Sequence, residues 1–254
     1  MSIGDAEIKT QERVIRFFKD PEILGYQYIG NLSDYQNKNI KEDRLRQYLR
    51  LKGYADKLID AAVMQLQQEA GNLSRGVYDA NKTVYSRLKY GIPVSESPEK
   101  PPVTVELIDE ANPLNNDFAI AEEVTVVEQQ EKRPDLVIYL NGIAVAVIEL
   151  KRSSISVSEG IRQNLTNQKD SFIRGFFTTM QFCMAGNESE GLRYGTLLTG
   201  EKFYMEWKDD GFKEHEEERD PVDVRISKTC EVIDNKLLKQ IYAMFDKERF
   251  IDLI

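Results

Sequence analysis

Two acids and one amine are placed where they could cut a phosphodiester. Asp135, preceded by Pro134, is separated by thirteen residues from Glu149-Leu150-Lys151. Carboxylates are the hard oxygen donors that a divalent cation such as Mg²⁺ takes. A cation held between them would orient and acidify a water and offset charge on the phosphate and the leaving oxygen. The Lys151 ammonium would stabilise the negative transition state or position the attacking water. The plain alternative is a buried ion pair at a strand end, and the spacing is compatible with both.

The elements that carry these side chains follow from the pattern around them. Asn141-Gly142 is a strong hairpin signal, and it joins predicted strands over 135–140 and 143–151. The second strand is apolar on both faces (Ile143, Val145 and Val147 against Ala144, Ala146 and Ile148), as in a central, buried strand. A Glu and a Lys at its end would be costly to desolvate unless paired or bound to a cation. Their separation of two puts Glu149 and Lys151 on one face. A plain two-residue turn would set Leu140 opposite Ile143 and Asp135 opposite Ile148, leaving Glu149 on the wrong face. If the acids share a cation, the hairpin must contain a three-residue connection, a bulge or a kink at Asp135.

The rest of the chain reads as helices first and strands after. Val14, Ile15, Phe17 and Phe18 form a helical stripe, and Gly25-Tyr-Gln-Tyr-Ile29 is a short aromatic strand. Asn39 is placed to cap a helix carrying Leu45, Tyr48 and Leu49, which Gly53 stops. Further helices are expected over 55–70 and 76–89. A Pro-rich hinge at 95–102 precedes strands at 103–108 and 118–127. Beyond Lys151 we expect a helix over 159–172 capped by Ser156 or Ser158, strands at 180–184, 193–198 and 203–207, and one or two helices over 234–254. The fold class is α/β (α+β), with a helical insertion or cap at about 38–91.

Composition narrows the chemistry. The 254 residues carry a net charge of −9, which argues against a general polyanion binder. The signs are segregated, however: 44–52 holds Arg44, Arg46, Arg50 and Lys52 without an acid, while 208–220 is an acidic run expected to be a solvated loop. The one histidine, His215, lies in that run, which argues against zinc or triad chemistry built on His. Cys183 and Cys230 are far apart and read as reduced thiols, which suits a cytoplasmic protein. No stretch is long and apolar enough to span a bilayer, and the first residues lack a signal core. Gly195 and Gly200 have phosphate-loop spacing, but Glu201-Lys202 follows in place of Lys and a hydroxyl residue, so no ATP hydrolysis is expected here.

Pro134-Asp135…Glu149-Leu150-Lys151 resembles the PD-(D/E)xK nuclease motif. Longer segments, among them 111–126 (ANPLNNDFAIAEEVTV), 133–154 (RPDLVIYLNGIAVAVIELKRSS) and 156–168 (SVSEGIRQNLTNQ), resemble the R subunit of type I restriction enzymes. The resemblance covers nearly the whole chain. It implies a PD-(D/E)xK restriction-endonuclease-like core and an endonuclease domain over 1–254. Asp135, Glu149 and Lys151 would take the roles above, with Mg²⁺ on Asp135 and Glu149.

The family carries Gln-x-x-x-Tyr on the helix after the Lys strand. Gln163 matches with Asn167 in place of Tyr; a second register, Gln168 to Phe172, keeps the aromatic ring without its hydroxyl. Gln163 lies nearer the helix start and is preferred, leaving Phe172 to the core. Glu12 on the first helix, and one of Glu122 or Glu123, are weaker metal-site candidates. The resemblance further implies double-stranded DNA as substrate, modification and specificity subunits as partners, and ATP use by motor domains absent from this chain. The chain ends at Phe250–Ile254 within an apolar helical pattern, consistent with a longer parent. A non-catalytic DNA-coupling module and a stand-alone repair nuclease are the competing readings.

Overall fold

All eight residues of the strand Ile143–Leu150 are buried, and the fold is arranged to bury them. The computed structural model describes residues 3–95, 97, 99–211 and 220–254, with side chains from Glu7 onward. His215 and most of the acidic run expected as a solvated loop lie outside these.

The N-terminal part contains α1 (Ile3–Lys19), β1 (Gln27–Asn31), α2 (Glu42–Leu51), α3 (Asp56–Gly71) and α4 (Val77–Tyr90). Short strands β2 (Ile92–Val94) and β3 (Val103–Val105) pair with each other. Then come β4 (Phe118–Glu122), β5 (Val126–Val127), β6 (Glu131–Lys132), β7 (Leu136–Leu140) and β8 (Ile143–Leu150). The last part contains α5 (Val157–Asn167), β9 (Phe182–Asn187), β10 (Gly191–Gly195), β11 (Met205–Glu206), α6 (Pro221–Val232), α7 (Lys236–Phe245) and α8 (Lys247–Leu253).

Among the described residues, seven strands form one mixed sheet in the order β1-β4-β7-β8-β9-β10-β11. β8 pairs antiparallel with β7 and parallel with β9, the return being made through α5. The fold is therefore mixed α/β, as expected. Helices cover both faces of the sheet. Leu136, Ile138, Ile148 and Leu150 share a core with residues of α1, α2, α3, α7 and α8, whereas Val137, Tyr139 and Val147 pack with Phe176, Phe177 and Met180.

Several expectations are corrected. Asn39 does not cap α2, which begins behind Lys41 without a side-chain cap. Its amide instead donates to the Gly175 carbonyl and to Thr178 Oγ1, a tertiary use that the local pattern does not reveal. The helix after Lys151 ends at Asn167, not 172, and Phe172 is half-buried; Ile173 takes the core position. Ser156 caps that helix, accepting from Ser158 N–H. α6 was not anticipated.

Candidate active site

The hairpin resolves the register problem with a bulge. Asn141 (φ 52°) and Gly142 (φ 81°) make the two-residue turn and set Leu140 opposite Ile143, but the pairing shifts between Ile138 and Tyr139. Tyr139 faces Ala144 and Ile138 faces Ala146, so Val145 is the extra residue. Val145 and Ala146 consequently both point into the α1–α8 core, while Ala144 and Val147 point into the other. Beyond the bulge Leu136 opposes Ile148, and one step further Asp135 comes opposite Glu149 on the same face.

The strand end is tied together by backbone and side chain. Asp135 Oδ2 accepts from Leu150 N–H at 2.7 Å, and the Asp135 carbonyl accepts from Glu123 N–H at 2.8 Å. Glu149 is fully buried. Its Oε2 accepts from Gln163 Nε2 at 2.6 Å, and its Oε1 accepts from no donor among the described residues. Gln163 reaches this position because Gly160, one turn earlier, lets α5 lie against the sheet: a Cβ there would come within 2.9 Å of Ala185 Cβ and 3.4 Å of Glu149 Cβ. Lys151 Nζ donates to Glu7 Oε1 of α1 at 3.2 Å.

The electrostatics are those of a site short of positive charge. Burial first, partly offset by Lys151 and the Leu150 N–H, moves Asp135 up to about 6, with Glu123 and Glu7 adding to the rise. Burial and then the Asp135 charge push Glu149 well above the usual carboxylate range. Burial works against the Lys151 ammonium, but Asp135, Glu149 and Glu7 outweigh it and hold the amine charged. Two facing carboxylates, one with an orphaned oxygen, form a donor set that fits a hard divalent cation. Among the described residues no group of three or more His, Cys, Asp or Glu side chains is spaced to hold a metal ion. A cation here would therefore take its remaining ligands from water, backbone oxygen or substrate phosphate.

The candidates separate clearly by position. Asp135, Glu149, Lys151 and Gln163 come together at the end of β8. Gln168 does not: it is buried elsewhere, donating to Cys183 Sγ and accepting from Leu198 N–H. Asn167, in place of the motif's Tyr, is buried and lines the same groove as Gln163 and Lys151. Glu12 is exposed; Glu7 is the α1 acid that reaches the site, and sequence reasoning missed it. Glu122 and Glu123 both accept from Gln11 Nε2, and Glu123 also pairs with Arg133. The basic run on α2 is matched by acids: Arg44 by Asp117, Arg46 by Glu42 and Asp60, Arg50 by Asp56, and Lys52 by Asp109 and Glu106. Both cysteines are free and buried.

Sheet and site together define a mixed α/β domain carrying a strand-end pair of acids with a lysine and an amide beside it. Residues 7–203 match the family described as Type I restriction enzyme R protein N terminus (HSDR_N), and the chain belongs to that family. It is 33% identical over 97 residues to a Methanocaldococcus jannaschii protein named, provisionally, as the endonuclease subunit of type I restriction enzyme MjaIXP. It is 29% identical over 112 residues to the endonuclease subunit of type I restriction enzyme SsaAORF53P from Staphylococcus saprophyticus. These alignments cover 35% and 42% of this chain, but only 9% and 12% of the relatives' lengths.

Proposed function

We propose that this chain is a metal-dependent DNA endonuclease domain that hydrolyses phosphodiester bonds within a type I restriction enzyme, on a PD-(D/E)xK restriction-endonuclease-like core. The observation that carries the reading is the buried Glu149 facing Asp135 with one oxygen unsatisfied. When bound between Asp135 and Glu149, Mg²⁺ would acidify the attacking water and offset charge on the phosphate.

The chain's own residues prepare that step. Leu150 N–H fixes the Asp135 carboxylate, and Gln163 fixes one oxygen of Glu149, leaving the other free to point at a cation. Gln163 would also present its amide near a phosphate or a water. The Lys151 ammonium is kept charged and rests on Glu7, an exchangeable partner that a phosphate can replace. By family, the substrate would be double-stranded DNA and the partners the modification and specificity subunits, in the cytoplasm. ATP would be spent by motor domains of the parent subunit, outside this chain. No helix among the described residues is long and apolar enough to cross a membrane.

Nicking of supercoiled plasmid by the motor-bearing parent subunit with its partners, Mg²⁺ and ATP tests this. Asp135→Ala, Glu149→Ala and Lys151→Ala should each lower the cutting rate by on the order of 10²-fold or more, with ATP hydrolysis retained. Undiminished nicking by Asp135→Ala would favour a coupling module that does not cut.

A further inference from the structure

We infer that the scissile strand lies in the groove between β6 and α5, where Lys132, Arg133 and Arg162 grip the phosphates flanking the one that is cut. This rests on the nuclease reading and names how the same site holds its substrate. The groove has a volume of about 410 Å³ and is bordered by Lys151 and Gln163, so a strand threaded through it passes the acid pair. Its eight lining residues include four cations (Lys132, Arg133, Lys151, Arg162) and one acid, Glu159, in a chain whose net charge is −9.

The acids that neutralise these cations come largely from outside the lining. Arg162 makes a two-pronged contact with Glu201, both bonds 2.9 Å, and a further bond of 2.7 Å to the lining acid Glu159, while Arg133 pairs with Glu123 at 2.7 Å. The Arg162 and Arg133 side chains are 54% and 56% exposed, and such pairs are weak enough for a phosphate to take over the guanidinium. A bidentate carboxylate already holds Arg162 in the fork geometry that phosphate oxygens use. Lys132 Nζ sits 4.8 Å over the Phe172 ring, which leaves its charge to act on the groove without a carboxylate ion pair among the described residues. The basic run at α2, by contrast, is matched by acids of α2 and α3 and of the segment before β4, and none of its cations lines this groove.

The test is the binding of this chain to a short fluorescein-labelled DNA duplex, followed by anisotropy at a series of NaCl concentrations with magnesium chelated. Lys132→Ala and Arg162→Ala should each weaken binding several-fold and flatten the plot of log affinity against log salt by about one, the loss of one phosphate contact. Lys132→Arg and Arg162→Lys should keep most of the slope, and Arg50→Ala on α2 should leave affinity and slope unchanged. Wild-type affinity and slope in both alanine variants, or no salt-dependent binding by the wild-type chain, overturns the assignment. The nuclease reading is scored separately by plasmid nicking: Asp135→Asn should abolish cutting yet bind the duplex, so either idea can fail without the other.

Discussion

Asp135 and Glu149 repel one another across the hairpin when no cation lies between them, and that repulsion has a sign that can be measured. Burial raises both carboxyls above their unfolded range of about 4, Asp135 to about 6 and Glu149 well above the usual carboxylate range. The folded chain therefore holds protons that the unfolded chain releases. The stability this confers is full below about pH 4 and is lost as pH rises through 6 and beyond. Glu149→Gln should flatten the dependence and, at pH 7.5 without metal, raise the thermal midpoint by about 2–4 °C for each kcal/mol of relieved repulsion. Added Mg²⁺ should raise the wild-type midpoint and leave that of Glu149→Gln unmoved. Equal midpoints for the two proteins from pH 5 to 8 would show that the pair is not strained in this way. Glu149 and Lys151 could be read from the sequence because they end a strand whose apolar surroundings make a charge expensive, and Asp135 because the hairpin brings its strand alongside; Gln163 came only from the family motif, since its polar helical neighbours give no such signal. Glu7 could not, since an acid near a helix start looks solvated until its partner, 144 residues away, is known.

Among the elements, α5 sets the precision of the site. Gly160 has no room for a side chain above Ala185 and Glu149, so the distance from Gln163 to Glu149 depends on a missing Cβ. Gly160→Val should push the helix away from the sheet, cost about 1–3 kcal/mol in urea unfolding, and lower nicking. Gln163→Ala should lower nicking without a comparable loss of stability. A Gly160→Val protein with wild-type stability and cutting would show that the close approach is dispensable. The hairpin was legible because Asn-Gly has few alternatives, and the need for an irregularity followed from counting faces. The location of the bulge at Val145 was not, because every neighbouring residue is equally apolar. Asn39 misled because a good capping residue was claimed by Gly175 and Thr178 from a distant segment.

At the scale of the molecule, the C-terminal helices complete the core beneath the sheet. Phe245 packs edge-on against Phe18 at 5.2 Å and lies 4.8 Å from Phe250, and its carbonyl accepts from Tyr26 Oη at 2.9 Å. The family match ends at residue 203, yet this core continues through α7 and α8. Phe245→Ala should cost about 3–5 kcal/mol, seen as a lower denaturant midpoint with an unchanged slope. A loss under about 1 kcal/mol would mean that α7 only leans on the domain. The mixed α/β class was readable from the order of patterns. The strand order was not, because β1 joins β4 in parallel across three helices and a hinge.

The extra residue at Val145 also turns the distance between the two acids into a question of odd and even. Removing Val145 would leave every remaining partner of β7 and β8 in place, with Asp135 still across from Glu149. Adding one residue elsewhere in β8, with no second irregularity, would send Glu149 into the opposite core. Chains whose acids are separated by gaps one residue apart can thus build one arrangement, whereas chains with identical gaps can build two. A search that fixes the gap length will pass over sequences that solve the same geometry by a different count.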